Sequence, residues 1–408
     1  MAHIAIVTTG HLSTSPRVVR EADALAAAGH DVVVIGAWFD EAHAEWDLAI
    51  AAASPWRFVV AADFRGTSRW SRTRFLVARV RSRMARARLS LGLGADRHAL
   101  GYAVDALERV LRRERPALHL LHLEPALAIG ERLLRDGARV AVDIEDWYSR
   151  IAADGMQDDS LRVEIDRLER RVFAAARSAT TTSAAMSAAL AVQTGMVPAD
   201  VVYNGVASID APRADMPETG PLRLVWFSQI VAPGRGLELL AAALETATDD
   251  WVLTIVGAAS ASARAWFESL LPAGGAERVR WEPPVTPRDL GAIVAGHHVG
   301  LALETGATSN LELTVSNKIC HYLQCGLAVA ATNTAGQREV MTRVGDAGCL
   351  VDRRDPALLR EALIGWMADP SALAAGIDRR RASAKAVLSA DAQAPRLVAA
   401  AARALGTA

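Results

Sequence analysis

Short apolar runs alternate with amphipathic stretches along most of the chain. Residues 4–7 are an uninterrupted apolar run followed by polar residues, a pattern typical of a buried parallel strand and its loop. Residues 16–28 place their apolar side chains on one helical face, and residues 32–35 begin the next apolar run. A strand, a helix and a second strand in this order predict a parallel βαβ unit.

This alternation is interrupted once before it ends near residue 366. Residues 208–221 carry prolines and a glycine among polar positions, as expected of an interdomain linker. The pattern predicts an α/β protein with two Rossmann-like, doubly wound domains that face a central cleft. We expect an N-terminal domain at 1–207, the linker at 208–221, a C-terminal domain at 222–385, and a final helix at 386–408 that could pack back on the first domain.

Composition narrows the functional classes. The 408 residues are 51% hydrophobic and 22% charged, so the chain can bury a sizeable core. Its 45 basic and 46 acidic residues nearly balance, which argues against a nucleic-acid partner. Cys320, Cys325 and Cys349 form neither a disulfide framework nor a zinc motif. With no basic leader and no apolar run long enough to span a bilayer, we expect a cytoplasmic protein without a metal site.

Two basic loops are candidate sites for an anion. Ser316 is a good N-cap, and Lys318 places a positive charge in the first turn of the helix that follows. That charge opposes the helix dipole unless an anion shares the spot; the alternative is a solvated surface lysine. Arg235 lies between two glycines, so it could clamp a phosphate at close range, or it could be an ordinary loop arginine.

Several segments, taken in order, resemble one enzyme family. They are residues 15–22 with 28–32, Ser183 with 202–206, residues 235–237, and residues 316–326 with 334–339. Together they are similar to retaining glycosyltransferases of the GT-B fold, family 4 (group 1) type. The matches run from about residue 4 to residue 365.

This resemblance implies transfer of a sugar from a nucleotide diphosphate donor, with a UDP-sugar favoured, retention of configuration and no metal or other cofactor. The second domain would hold the donor, and the first a saccharide or lipid-linked acceptor. Arg235 and Lys318 would neutralise the leaving diphosphate, which is usually a large catalytic effect. His122 would be the third catalytic residue, near the donor sugar. The expected donor-binding residues are Gly10, Arg235, Gly236, Ser316, Asn317, Lys318 and His321.

Some positions leave alternatives open. His321 stands where the family commonly has a glutamate that binds the ribose, and Leu313 replaces another acid; a neutral histidine could still accept a hydrogen bond there. His122 could instead be a hydrogen-bonded core histidine. The expected acceptor-side residues are Arg17, Asp143, Glu145 and Asp146, with capping of the following turn as the alternative role of Asp146.

The segment from 65 to 95 contains nine arginines and no acid, with apolar residues interleaved. This pattern is typical of a basic amphipathic helix on an anionic membrane, and the alternative is a solvated helix. It predicts a peripheral protein on the inner face of the plasma membrane. The expected membrane contacts are Arg72, Arg74, Arg79, Arg81, Arg83, Arg86 and Arg88.

Three other functions remain open at this point. The departure at His321 admits a non-catalytic homologue that binds a nucleotide sugar and serves as a scaffold. A sugar-nucleotide epimerase of the same fold is a second alternative. A glycosyltransferase that tailors a small soluble metabolite is the third, and it would need no membrane contact.

Overall fold

The computed structural model describes residues 1–151, 159–207, 210–245 and 250–407. They form two compact units, one of Met1–Val202 with Ala394–Ala408 and one of Tyr203–Gln393. The first unit ends shortly before residue 207, the predicted domain end. Within the described ranges, no helix combines the length and apolar character that a membrane span needs.

The first unit is built on a seven-stranded sheet in which every neighbouring pair is parallel. Its order, β3-β2-β1-β4-β5-β6-β7, reverses direction at β1, as in a Rossmann sheet. The strands are β1 (His3–Val7), β2 (Asp31–Trp38), β3 (Arg57–Asp63), β4 (Leu118–His122), β5 (Val140–Ile144), β6 (Ser178–Thr181) and β7 (Asp200–Val201).

Helices connect these strands and cover the sheet. They are α1 (Pro16–Ala27), α2 (Glu41–Ala53), α3 (Arg69–Ser90), α4 (Val104–Glu114), α5 (Glu124–Arg135), α6 (Asp159–Ala175) and α7 (Ala184–Thr194). Ile4, Ile6 and Leu25 belong to a buried core cluster of this unit. Ser15 precedes α1 as predicted, but its hydroxyl lies 3.3 Å from that of Thr8 and makes no capping bond.

The second unit repeats the arrangement with six parallel strands in the order β10-β9-β8-β11-β12-β13. The strands are β8 (Leu222–Ile230), β9 (Trp251–Ala258), β10 (Val279–Glu282), β11 (Val299–Ala302), β12 (Ala328–Thr332) and β13 (Gly348–Val351). The helices are α8 (Leu237–Leu244), α9 (Ala261–Glu268), α10 (Pro287–Ala295), α11 (Ser309–Leu313), α12 (Asn317–Cys325), α13 (Ala335–Val344), α14 (Ala357–Ala368), α15 (Pro370–Ala375) and α16 (Ile377–Leu388). The last helix, α17 (Ala390–Leu405), belongs to the first unit from Ala394 onward.

The described part of the predicted linker and the last helix are both packed. Residues 208–209 of the predicted linker lie outside the described residues, but Ala211 and Ala214 are buried in the second unit. The Ala214 amide donates to the Cys325 carbonyl at 2.9 Å. In the first unit, α17 buries Leu397 against Ala24 and Val202. Thus the described part of the linker is a packed segment rather than a free tether.

Candidate functional site

The loop between β8 and α8 brings its backbone close to the end of β11. Gly234 and Gly236 adopt positive φ angles of 78° and 88°. A Cβ atom at Gly236 would lie 1.8 Å from the carbonyl oxygen of Leu303, so only glycine fits this approach. Arg235 between them is exposed, and its Nη1 donates to the Ser228 hydroxyl at 3.1 Å. The loop therefore presents the Arg235 guanidinium at the carboxyl edge of the sheet.

Lys318 lies in the first turn of α12 and is paired with an acid that the sequence analysis missed. Its Nζ donates to Glu304 at 2.7 Å, and the Ser316 hydroxyl donates to the same carboxylate oxygen at 3.0 Å. Both charged side chains are largely buried, 12% and 14% exposed. Burial raises the pKa of Glu304. Lys318 and, more weakly, Arg235 lower it by more than burial raises it, so the net pKa is below the usual range.

These contacts gather two cations and a helix start at one edge. Ser316 accepts from the Lys318 amide at 3.2 Å, as an N-cap should, and Asn317 is exposed beside it. Glu304 compensates the Lys318 charge, and Lys318 is largely buried, so it is not the solvated surface lysine that was the alternative. An anion that binds here would compete with Glu304 for Lys318 and would reach Arg235 without that competition.

His321 is buried on α12 at 4% exposure. Its Nε2 lies 2.9 Å from the Asp210 carbonyl, so this nitrogen must carry the proton and donate. Its ring also packs edge-on against Phe227, with ring centres 5.7 Å apart. Nε2 is therefore not available to accept a bond from a ribose hydroxyl, and a donor-binding role for His321 stays a prediction.

The first unit holds a buried network of charged groups at the ends of β4 and β5. Arg17 donates from Nε to Asp143 at 2.6 Å and from Nη1 to the Val202 carbonyl at 2.7 Å. Thr180 also donates to Asp143. Burial raises the pKa of Asp143. Arg17 and, to a smaller extent, His122 lower it by more than burial raises it, so the net pKa lies below the usual range.

His122 joins this network between two carboxylates. Its Nε2 donates to Glu21 at 2.6 Å, and its Nδ1 lies 3.8 Å from Asp143. Burial lowers the pKa of His122, but Asp143 and Glu21 raise it by more, so its net pKa lies above the usual range. The geometry describes a buried ion-paired histidine; catalytic contact of His122, and acceptor contact of Arg17 and Asp143, stay predictions.

The loop after β1 carries Gly10 and is held by a second buried pair that the sequence analysis missed. His11 donates from Nδ1 to Asp47 at 2.8 Å, and its Nε2 accepts from the Phe39 amide at 2.9 Å. Asp47 also accepts from the Ser13 amide at 2.8 Å. The His11–Asp47 pair fixes the path of the loop. A contact between Gly10 and the nucleotide-sugar donor stays a prediction.

The turn after β5 is acidic and rests on a buried carboxyl group. Glu145 and Asp146 are half-buried at its start. Farther along, Ser149 donates to Glu169 of α6 from its amide at 3.1 Å and from its hydroxyl at 2.5 Å. Burial raises the pKa of Glu169 to about 7. Glu145 and Asp146 thus lie on a turn that a titratable group supports, and their acceptor role stays a prediction.

Replacing Glu169 with glutamine should remove a pH dependence of stability. The ordinary pKa of this side chain is 4.5 and its value in the folded protein is about 7. The contribution of protonated Glu169 to the free energy of unfolding is therefore fully present below pH 4.5 and is lost as the pH rises to about 7. The wild type should lose on the order of 3 kcal/mol over that window. Urea unfolding at pH 5 and pH 8 measures this, and an equal decline in Glu169→Gln would contradict the assignment.

All seven predicted membrane-contact arginines lie on α3 and are exposed. Some also fasten the helix to its own unit: Arg72 donates to the Gly66 carbonyl at 3.0 Å and Arg86 to that of Ala99 at 3.1 Å. The apolar residues are arranged the opposite way from an ordinary surface helix. The inner face is small, with Ser71, Ser82 and Ala85 buried.

Large apolar side chains of α3 point to solvent instead. They are Trp70, Leu76, Val77, Val80 and Met84, which are 45% to 78% exposed. Phe75 is the exception, since its ring meets those of Phe64 and Tyr102 at 5.6 Å. The outer surface of α3 is therefore both basic and apolar.

The part of the chain that the structure describes contains no group of three or more histidine, cysteine, aspartate or glutamate side chains placed to hold a metal ion. The expectation of a metal-independent site stays a prediction.

A family comparison bears on the second unit, which carries the Arg235–Lys318 edge. Residues 221–369 match the model of the family "Glycosyl transferases group 1". The predicted resemblance to group 1 glycosyltransferases and the predicted class of enzyme, a glycosyltransferase, are thereby confirmed, whereas family 4 and retention of configuration stay predictions. No curated protein matches the chain in sequence.

Solved structures extend the likeness to both units. Sucrose-phosphate synthase (tll1590) from Thermosynechococcus elongatus is 15% identical with a TM-score of 0.74, over 100% of each chain. HepE (Alr3699) of Anabaena in complex with UDP and glucose is 14% identical with a TM-score of 0.70, also over 100% of each chain. WaaG, a glycosyltransferase of lipopolysaccharide biosynthesis, is 12% identical with a TM-score of 0.63, over 97% of this chain and 98% of its own. At these identities the likeness establishes the fold, and the predicted pair of Rossmann-like domains, of the kind found in GT-B glycosyltransferases, is confirmed.

Proposed function

We propose that the protein transfers a sugar from a UDP-sugar to a hydroxyl acceptor. The supporting observation is that Arg235 and Lys318 both lie near Glu304 at the carboxyl edge of this sheet, where each lowers the pKa of that carboxyl group, beside the start of α12. Ligands of open parallel sheets bind at this edge, and helix starts favour phosphate. We propose UDP rather than another nucleotide because the structure of HepE, which is similar to this chain, is known in complex with UDP and with UDP-glucose.

In this proposal the protein acts mainly through charge. As the bond from the sugar to the diphosphate breaks, negative charge grows on the leaving diphosphate. Arg235 and Lys318 would stabilise that charge from fixed positions, which is the form of electrostatic catalysis with the largest effects. The transfer would retain the anomeric configuration and need no metal, and we name no protein nucleophile.

Binding of UDP to the purified protein tests the donor. A thermal-shift series with UDP, GDP, dTDP and ADP, each with and without EDTA, should show a rise with UDP that EDTA does not change. The rise should be lost in Arg235→Ala and kept in Arg288→Ala, a matched exposed arginine on α10. A shift with another nucleotide would replace UDP, and no shift with any would contradict the proposed donor site.

Products distinguish the remaining functions. Transfer or donor hydrolysis by the purified protein would exclude a non-catalytic homologue. That alternative is retained because His321 is buried and its Nε2 donates to the Asp210 carbonyl. An epimerised donor that forms without acceptor would indicate an epimerase. Transfer to a small soluble acceptor that is indifferent to lipid would indicate a metabolite-tailoring enzyme.

We further propose that the acceptor is a saccharide or lipid-linked saccharide at the inner face of the plasma membrane, where α3 binds anionic lipid. The outward apolar side chains of α3 would enter the headgroup region while its arginines meet phosphate. A second copy of the chain is a poorer occupant, because it would bring the same positive surface face to face. A nucleic acid would match the charge but leave the exposed apolar groups without a partner.

Charge removal on α3 should weaken vesicle binding. Arg74 and Arg83 are exposed, and each is worth about 1 kcal/mol near an anionic surface. Arg74→Gln/Arg83→Gln should therefore reduce binding to phosphatidylglycerol vesicles by roughly tenfold or more in a flotation assay. The matched control is Arg109→Gln/Arg113→Gln on α4, two exposed arginines that should matter little. Equal losses in both pairs, or no binding by the wild type, would contradict the proposal.

A further inference from the structure

A cavity of about 420 Å³ lies in the second unit at the carboxyl ends of β12 and β13. Its volume falls in the range of small-molecule sites, and this edge of a parallel sheet is where such molecules bind. No step of the proposed sugar transfer uses it. It is lined by Glu312, Asn333, Arg338, Leu350, Val351, Asp352, Arg353, Arg354 and Leu358.

The lining combines three guanidinium groups with two carboxylates. Glu312 is already engaged, since it accepts from Arg353 at 2.5 Å and from the Ala335 amide at 3.0 Å. Arg338 is oriented by neutral oxygens, because its Nε donates to the Asn333 side chain at 2.7 Å and its Nη2 lies 3.4 Å from the Asn333 carbonyl. These contacts hold the Arg338 guanidinium in place without neutralising it. Arg354 adds an exposed guanidinium at the same wall.

The remaining wall is apolar. Leu350 and Val351 end β13, and Leu358 lies in the first turn of α14. A ligand that suits the whole cavity would carry an anionic group toward the arginines and a less polar body toward these side chains. Arginine forks match the geometry of phosphate oxygens.

This cavity shares a loop with the donor edge, the edge of the sheet where Arg235 and Lys318 lie. A Cβ atom at Gly306 would lie 2.3 Å from Arg353 and 2.9 Å from Glu312, so the loop packs directly on that ion pair. Two residues earlier, Glu304 binds Lys318. A ligand that draws Arg353 away from Glu312 would therefore disturb the loop that carries Glu304.

We propose that this cavity binds a phosphate-bearing metabolite through Arg338, Arg353 and Arg354, separately from the donor. The proposal does not rest on the proposed transfer reaction. Calorimetric titration with inorganic phosphate, glucose 6-phosphate and glucose tests it on the full chain. Glucose 6-phosphate should bind most tightly because it meets both walls, phosphate more weakly, and glucose not measurably.

Variants separate this cavity from the donor edge. Arg338→Gln and Arg354→Gln should each weaken glucose 6-phosphate binding about tenfold, the size expected for one charged hydrogen bond. Arg235→Gln, at the donor edge, and Arg288→Gln, on α10, should leave that binding unchanged. Loss of binding in Arg235→Gln alone would place the phosphate at the donor edge and overturn the proposal. So would equal weak binding in all variants, or no binding by the wild type.

Discussion

Replacing Asp143 with asparagine should destabilise the first unit by about 3–5 kcal/mol, the usual effect of breaking a buried ion pair by removing one partner. The Arg17 and Asp143 side chains are 3% and 0% exposed, so water cannot replace the lost carboxylate. Asparagine keeps the shape of the side chain, which confines the change to charge. His122 would also lose one of its two carboxylate neighbours.

Hydrogen exchange of the β1, β4 and β5 peptides would locate this loss in the first unit. Asp378→Asn is the matched control, because Asp378 also binds an arginine, Arg213, but at an exposed position, where solvent screens the pair. Adding Arg17→Gln to Asp143→Asn should recover part of the loss, since both buried charges are then gone. Protection unchanged by Asp143→Asn would mean that the ion pair does not support the fold.

The alternation of apolar runs was sufficient to predict two doubly wound domains, because parallel strands that are buried on both faces leave a strong local pattern. The short strand β7 shows where the pattern misleads. Residues 201–203 are consecutive apolar residues, a pattern that predicts a strand. The strand in the structure is Asp200–Val201. Tyr203 instead donates its hydroxyl to Glu339 at 2.5 Å. A side chain that leaves the sheet for a distant partner carries no local signal.

Pairings between distant residues also limited prediction of the candidate site. Arg235 and Lys318 could be found because glycines and an N-cap mark their loops. Glu304 could not be assigned to Lys318, since the two are brought together only when β11 and α12 pack. An acid immediately after an apolar strand was the available signal. The sequence analysis therefore named an anion as the partner of Lys318 and did not name Glu304.

His122 illustrates the same limit in the first unit. Its place at the end of a strand indicated a site residue, but the strand pattern could not reveal Glu21 on α1 or Asp143 on β5. Both carboxylates lie far away in sequence, and they hold His122 in a buried network of charged groups. The α3 arginines were predictable because charge and apolar residues alternate locally, whereas the outward direction of the apolar side chains required the fold.

Removing Lys318 or Arg235 should lower the rate of sugar transfer on the order of a hundredfold or more, as losing one fixed donor to a developing anion does in other enzymes. The two losses should differ in origin. Arg235 is exposed, so Arg235→Ala should leave the stability unchanged while it weakens both UDP binding and transfer. Lys318→Ala also leaves Glu304 without its cation and should lower the stability of the second unit. UDP titration, transfer rate and unfolding, measured on each variant, separate these effects.

Glu304→Gln then decides whether Lys318 acts on the diphosphate. Glu304 accepts from Lys318 at 2.7 Å, so diphosphate would compete with a carboxylate for the same ammonium group. Glutamine removes that negative charge and should tighten UDP binding, whereas Lys318→Ala should weaken it. If Lys318 served only to neutralise Glu304, the Glu304→Gln/Lys318→Ala double variant would bind UDP as tightly as Glu304→Gln alone. We expect the double variant to bind more weakly, because its diphosphate has lost one of its two cations.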